Sequence, residues 1–102
     1  MFRGTAVQKL TPIEIETGLH SCPGWTLLEG KLHKDYKFPD FVLAFGFMST
    51  AAIAIEKMNH HPEWSNVYNR VAVDLTTHDA GGISLRDFEL AGLLDRLAGR
   101  FQ

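Results

Sequence analysis

Residues 38–62 read Phe-Pro-Asp-Phe-Val-Leu-Ala-Phe-Gly-Phe-Met-Ser-Thr-Ala-Ala-Ile-Ala-Ile-Glu-Lys-Met-Asn-His-His-Pro. They predict the longest helix of the chain, opened by Phe38-Pro39-Asp40 and running to about His60. Phe41, Phe45, Met48, Ala52 and Ile55 fall on one stripe at helical spacing. Leu43, Phe47, Ala54 and Met58 make a second stripe, rotated well away from the first. One small sheet can cover only one of them, so the other stripe needs a second burial partner, expected to be another subunit. Pro62 bars helix at His61 and closes the segment.

Downstream, Val71, Val73 and Leu75 alternate with Ala72, Asp74 and Thr76, the pattern of a half-buried strand. Val67-Tyr68-Asn69 just before it reads either as a separate short strand or as a bulged start. Asp79-Ala80-Gly81-Gly82 is a turn. Ser84, with Asp87 three residues on, starts a last helix through Phe88, Ala91, Leu94 and Leu97. Upstream, Trp25–Glu29, then Gly30-Lys31, then Leu32–Phe38 reads as a β-hairpin with Tyr36 and Phe38 on one face. Thr11-Pro12 with Glu14 and Glu16 caps a first helix that should stop between Gly18 and Pro23. The order α-β-β-α-β(β)-α lacks regular βαβ alternation and indicates an α+β fold, with an antiparallel sheet and helices on one face.

A chain of 102 residues is one domain, 1–102. The net charge of −2 offers no electrostatic reason to bind nucleic acid or an anionic membrane. Cys22 is the sole cysteine, which suits a reducing compartment. Met1-Phe2-Arg3-Gly4-Thr5 lacks the apolar core of a secretory signal. No run of about 18 apolar residues stands out as a membrane span. A soluble, intracellular protein is expected.

Three of the five histidines are placed to meet. His60 and His61 are adjacent at a helix end, and neighbours on a regular helix point about 100° apart. A helix break is needed for both imidazoles to converge, and Pro62 supplies one. His78 sits just past the strand Arg70–Thr77, where it would project from the sheet rim into a cleft. Three readings compete. The His60-His61 pair can cap a helix C-terminus, where donor side chains favour the macrodipole. Three histidines with an open position can hold a catalytic zinc, although adjacent ligands are awkward and no His-Glu-x-x-His or Cys-x-x-Cys spacing occurs. The third reading is metal-free acid/base catalysis, for which an unperturbed pKa of about 6.5 is suited.

Between Glu56 and Ala91 the chain carries Asn59-His60-His61-Pro62, Trp64, Asn66-Val67-Tyr68-Asn69, Leu75-Thr76-Thr77-His78, Gly81-Gly82 and Asp87-Phe88-Glu89-Leu90-Ala91. In that order and spacing, these resemble the pterin-4a-carbinolamine dehydratases, also known as dimerisation cofactors of a hepatocyte homeodomain factor. Pro23-Gly24-Trp25, Glu29-Gly30, Phe38, Phe41 and Ala44-Phe45-Gly46-Phe47-Met48 extend the similarity, which covers about residues 10 to 98.

The resemblance implies a four-stranded antiparallel sheet with three helices packed on one face, assembled as a homo-oligomer, either a dimer or a tetramer. It implies a small-molecule pterin substrate, 4a-hydroxytetrahydropterin, dehydrated to quinonoid dihydropterin in tetrahydrobiopterin recycling. No redox change occurs, so no metal and no cofactor is expected. His60, His61 and His78 would be the catalytic and pterin-contacting histidines, with His60 and His78 moving protons and His61 binding. Asn59, Thr76, Thr77 and Asp79 would line the pocket. Glu56, one helical turn before His60, would orient it or stand as an exposed helix glutamate. Asp87 would lie near the pocket or serve only as a cap, and Trp64 would wall the pterin or pack in the core or an interface. Asn59 stands where vertebrate members carry Asp. The alternative function is a binding module that bridges a transcription factor's dimer through the long helix. Localisation is expected to be cytoplasmic, with the nucleus open to the alternative.

Overall fold

A computed structural model describes residues 7–102, so the expectation drawn from Met1–Thr5 lies outside the described residues. Thr11 caps α1 (Pro12–His20) reciprocally. Its hydroxyl accepts from the Glu14 N–H at 3.2 Å, and the Glu14 carboxylate accepts from the Thr11 N–H at 2.8 Å. The hairpin follows as β1 (Thr26–Leu28) and β2 (Lys31–Lys37). Its turn is Glu29-Gly30, one residue earlier than expected. Both have positive φ (51° and 79°), which matches the twist of a tight hairpin.

Four strands form one antiparallel sheet in the order β1-β2-β4-β3, completed by β3 (Glu63–Val67) and β4 (Arg70–Leu75). Register sets Leu32 against Leu75, Lys34 against Val73 and Tyr36 against Val71 on one face. His33 opposite Asp74 and Asp35 opposite Ala72 fall on the other. Leu32, Tyr36, Val71, Val73 and Leu75 are buried, whereas the second face stays polar and uncovered by helices. There His33 bridges Asp74 (2.9 Å) and Asp35 (3.1 Å), and the hydrogen bond it donates to Asp74 raises its pKa above the usual value. The alternatives at Val67-Tyr68-Asn69 resolve simply. Val67 ends β3, and Tyr68-Asn69 is the turn into β4. Tyr68 takes a left-handed φ of 52°, and the Asn66 amide donates to the Tyr68 and Arg70 carbonyls across the bend.

The long helix α2 (Phe41–Met58) starts where Asp40 accepts from the Leu43 N–H, and it ends two residues short of His60. Asn59, not Pro62, breaks it, by adopting a left-handed cap (φ 55°, ψ 43°) that asparagine tolerates better than most residues. The expected two-sided apolar character is present, but the stripes are composed differently. Ala44, Phe47, Ala51 and Ile55 face the core, while Phe41, Val42, Phe45 and Ile53 are exposed. Two alanines on the inward face let the helix approach the sheet closely. Phe47 fills the space between them, 5.1 Å from both the Phe38 and Tyr36 rings. With 18 residues and a mean hydropathy of 1.5, α2 has the length and composition of a bilayer span after all. Its inward face is instead committed to the domain core.

A short turn of 3₁₀ helix (His78–Ala80) leads into α3 (Leu85–Ala98), which buries Leu90, Ala91, Leu94 and Ala98. Gly18 allows α1 to rest on α3, since a Cβ there would lie 2.5 Å from the Phe88 ring. At the far end of α3, Asp95 accepts from Lys34 (2.8 Å), Tyr36 (2.5 Å) and the Trp25 indole (3.1 Å). Burial and this carboxylate push the Tyr36 hydroxyl far above its usual range, so it stays protonated and donates to Asp95. Burial first, and Asp95 second, also raise the Cys22 thiol, which argues against a nucleophilic role for it.

Because Phe47 is fully buried, Phe47→Ala should cost about 3–5 kcal/mol in urea unfolding. A loss below about 1 kcal/mol would place this ring outside the core.

Candidate active site

The site forms where two chain ends meet over the start of α3. One is the segment after α2, Asn59-His60-His61; the other is the exit from β4, Thr76-Thr77-His78-Asp79. Together with Val7 and Arg86 they enclose a cleft of about 250 Å³. A larger, mainly apolar hollow of about 450 Å³ lies between α1 and α3 but contains no histidine.

His60 is the buried member of the cleft, at 9% exposure. Its Nε2 lies 2.6 Å from Oδ1 of Asp87, which is fully buried. The second oxygen, Oδ2, accepts from the Thr77 hydroxyl (2.7 Å) and the Ser84 N–H (2.9 Å). The Ser84 and Thr77 hydroxyls are themselves 2.7 Å apart. Three donors on one carboxylate are what allow it to stay out of water. A carboxylate only accepts, so Nε2 of His60 carries the hydrogen and Nδ1 is the ring atom left to take up a proton. Asp87 serves two elements at once. It caps α3 and grips a cleft histidine with the same carboxylate.

His61 and His78 are wetter. Nε2 of His61 lies 2.9 Å from Oε1 of Glu56, with both side chains exposed. Glu56 therefore orients His61 rather than His60. The left-handed Asn59 turns the chain so that His61 swings back along the last turn of α2, while His60 points inward to α3. His78 is largely exposed, and its nearest carboxylate is Glu63, at 3.9 Å. Glu63 is held in turn by Lys31 at 2.6 Å, whose hydrogen bond keeps it below the usual carboxylate range.

Asn59, His60, His61, Thr76, Thr77, His78 and Asp79 all line the cleft. Trp64 does not. It sits on the inner face of β3, half-buried and edge-on to Phe47 at 6.5 Å, because its strand position directs it to the core. The Thr77 hydroxyl is turned toward Asp87, so its contribution runs through that carboxylate. Among the described residues, no group of three or more His, Cys, Asp or Glu is arranged to share a metal ion. Sequence reasoning missed Arg86, whose guanidinium reaches the Met58 carbonyl. Its one signal was an unmet need: the final carbonyls of any helix lack in-helix donors.

A histidine held between a buried carboxylate and a polar cleft is an arrangement that can move a proton. The chain belongs to the pterin 4 alpha carbinolamine dehydratase family, whose model matches residues 8–97. A protein of Solibacter usitatus, provisionally named pterin-4-alpha-carbinolamine dehydratase, is 60% identical over 90 residues, 88% of this chain and 95% of the relative. One from Rhizobium rhizogenes with the same provisional name is 50% identical over 95 residues, 91% of this chain and 94% of its own length. The crystal structure of a transcriptional coactivator/pterin dehydratase from Brucella melitensis superposes with a TM-score of 0.86. It is 41% identical, covering 90% of this chain and all of that one.

Asp87→Ala would strand three buried donors and should destabilise the protein by about 3–5 kcal/mol in urea titration, with Asp87→Asn losing less. The His60 Nε2 proton should resolve downfield by NMR in the wild type and disappear in the alanine variant. Its persistence there would mean that Asp87 does not hold the ring.

Proposed function

We propose that the cleft dehydrates a pterin-4a-carbinolamine to the quinonoid dihydropterin by histidine acid/base catalysis, as a step in tetrahydrobiopterin recycling in the cytoplasm. The observation that carries this reading is His60, fixed by Asp87 on one side and open to the cleft on the other. The reaction needs one proton given and one taken. An imidazolium protonates the 4a-hydroxyl as the C–O bond breaks and water leaves. An imidazole takes the proton from the neighbouring ring nitrogen, and the electrons of that N–H bond become the new C=N bond. Protons balance, and nothing is oxidised or reduced. His60, with Nδ1 free to accept, suits the base, and the exposed His78 suits the acid at the leaving oxygen. His61, steadied by Glu56, binds the ring at the rim.

The uncovered face of α2 supports a second element of this reading, a homo-oligomer. Phe41, Val42, Phe45 and Ile53 form an apolar strip that a monomer would leave in water. A dimer or tetramer burying it gains roughly 1.5–3 kcal/mol for each large side chain fully covered. The same strip is the surface that a transcription-factor partner would need, and the Brucella protein is called a transcriptional coactivator as well as a pterin dehydratase.

His60→Ala or His78→Ala should cut kcat by about 10²–10⁴, and the double variant should lose less than the product of the two. Two folded single variants with near wild-type kcat would sink the acid/base assignment. Activity should survive exhaustive chelation; loss restored by Zn²⁺ would favour a zinc-hydroxide route instead. By light scattering, the protein should exceed its 11.4 kDa monomer mass, and Phe45→Glu should lower the measured mass with helix content kept. A wild-type monomer at micromolar concentration would overturn the assembly.

A further inference from the structure

We infer that Arg86 is a positioning residue for His60 and His61, holding the end of α2 against the start of α3. The inference rests on the acid/base reading of the cleft. The end of α2 is a weak point in the scaffold: two histidines project from the two residues after a left-handed break, and a broken helix end has orphan carbonyls. Two of them are met locally. The Asn59 N–H bonds to the Glu56 carbonyl at 3.1 Å, and the His60 N–H reaches the Ile55 carbonyl at 3.4 Å. The Met58 carbonyl is met from outside, by Nη2 of Arg86, which also lies 3.5 Å from the Asn59 carbonyl. Those two peptide groups flank the backbone that aims His60 and His61.

The position of Arg86 in sequence makes the hold effective. It immediately precedes Asp87, so one helical turn of α3 supplies both the carboxylate that grips the His60 ring and the guanidinium that grips the backbone beneath it. A ring held by one hydrogen bond can pivot about that bond; with its backbone also held, Nδ1 has one direction. His61 depends on the backbone hold still more, since Glu56, its side-chain partner, is exposed and sits on α2 itself. Both contacts come from the one Nη2, whose two N–H groups are fixed in the guanidinium plane, whereas the donors of a lysine ammonium rotate freely.

The test compares wild type, Arg86→Gln and Arg86→Lys in carbinolamine dehydration, thermal unfolding and histidine-ring NMR, with Arg100→Gln as an exposed control. Arg86→Gln should lose about 10- to 100-fold in kcat, the scale of a misplaced catalytic group, with KM changed less than about threefold. Arg86→Lys should recover part of that loss. The His60 and His61 ring signals should move in Arg86→Gln while those of His20 and His33 stay. Wild-type kcat in folded Arg86→Gln would overturn the inference. So would a rise in KM alone, which would mean direct substrate contact, or ring shifts spread over all the histidines, which would mean general loosening. If Arg86→Gln does not fold, a fully active Arg86→Lys with unmoved ring signals overturns it equally. An inert wild type would defeat the dehydratase reading instead, and the ring signals would still decide whether Arg86 holds the histidines.

Discussion

The central antiparallel pair β2–β4 is the constraint from which the rest of the structure follows. Its rungs Leu32–Leu75 and Tyr36–Val71 line up apolar groups on one face only, and that face must be covered. Strand β1 is three residues long and β3 is an edge, so neither can do it. Helices α2 and α3 cover it instead, with Phe47 and Leu94 fully buried between the layers. Once both helices lie on the same side, the end of α2, the exit of β4 and the start of α3 converge at one corner. The cleft is that corner.

Much of this was legible in the sequence because it is encoded locally. The Thr11 and Ser84 caps, the glycine turn at Gly30 and the alternation from Val71 to Leu75 each depend on residues within a few positions of one another. The histidine cleft was legible for a different reason: adjacent His60-His61 and the distant His78 follow helix and strand ends, where side chains meet at an edge. What the sequence concealed depends on three-dimensional placement. Which stripe of α2 faces the sheet turns on how closely Ala44 and Ala51 let it approach, and no periodicity reports that distance. The Glu56–His61 pairing depends on a single left-handed residue, Asn59. Trp64 was ambiguous because an aromatic beside a histidine pair can be either wall or core, and only its place opposite Val73 on the inner face decides.

Two carboxylates, near either end of α3, fix that helix in place. Asp87 takes hydrogens from His60, Thr77 and Ser84, and Asp95 takes them from Trp25, Lys34 and Tyr36. Apolar packing alone tolerates some sliding, because one leucine contact resembles the next. Polar partners do not, since a shift of one turn would leave buried donors unmet at both hubs. The register of α3, and with it the aim of His60, is specified by hydrogen bonding on a helix whose middle is held by Leu90, Ala91 and Leu94.

The double duty of Asp87 ties foldedness to function in a way that adjacency in sequence does not. His60 and His61 are neighbours in every conformation of the chain, including the unfolded one. The carboxylate reaches His60 only when the first turn of α3 is wound and docked, and that turn is wound in part by the same carboxylate. A partly structured chain therefore has the imidazoles without their orientation. Assembly of the histidine cleft and docking of the first turn of α3 become one event, so in the proposed dehydratase turnover doubles as a readout of how many molecules in a sample are native.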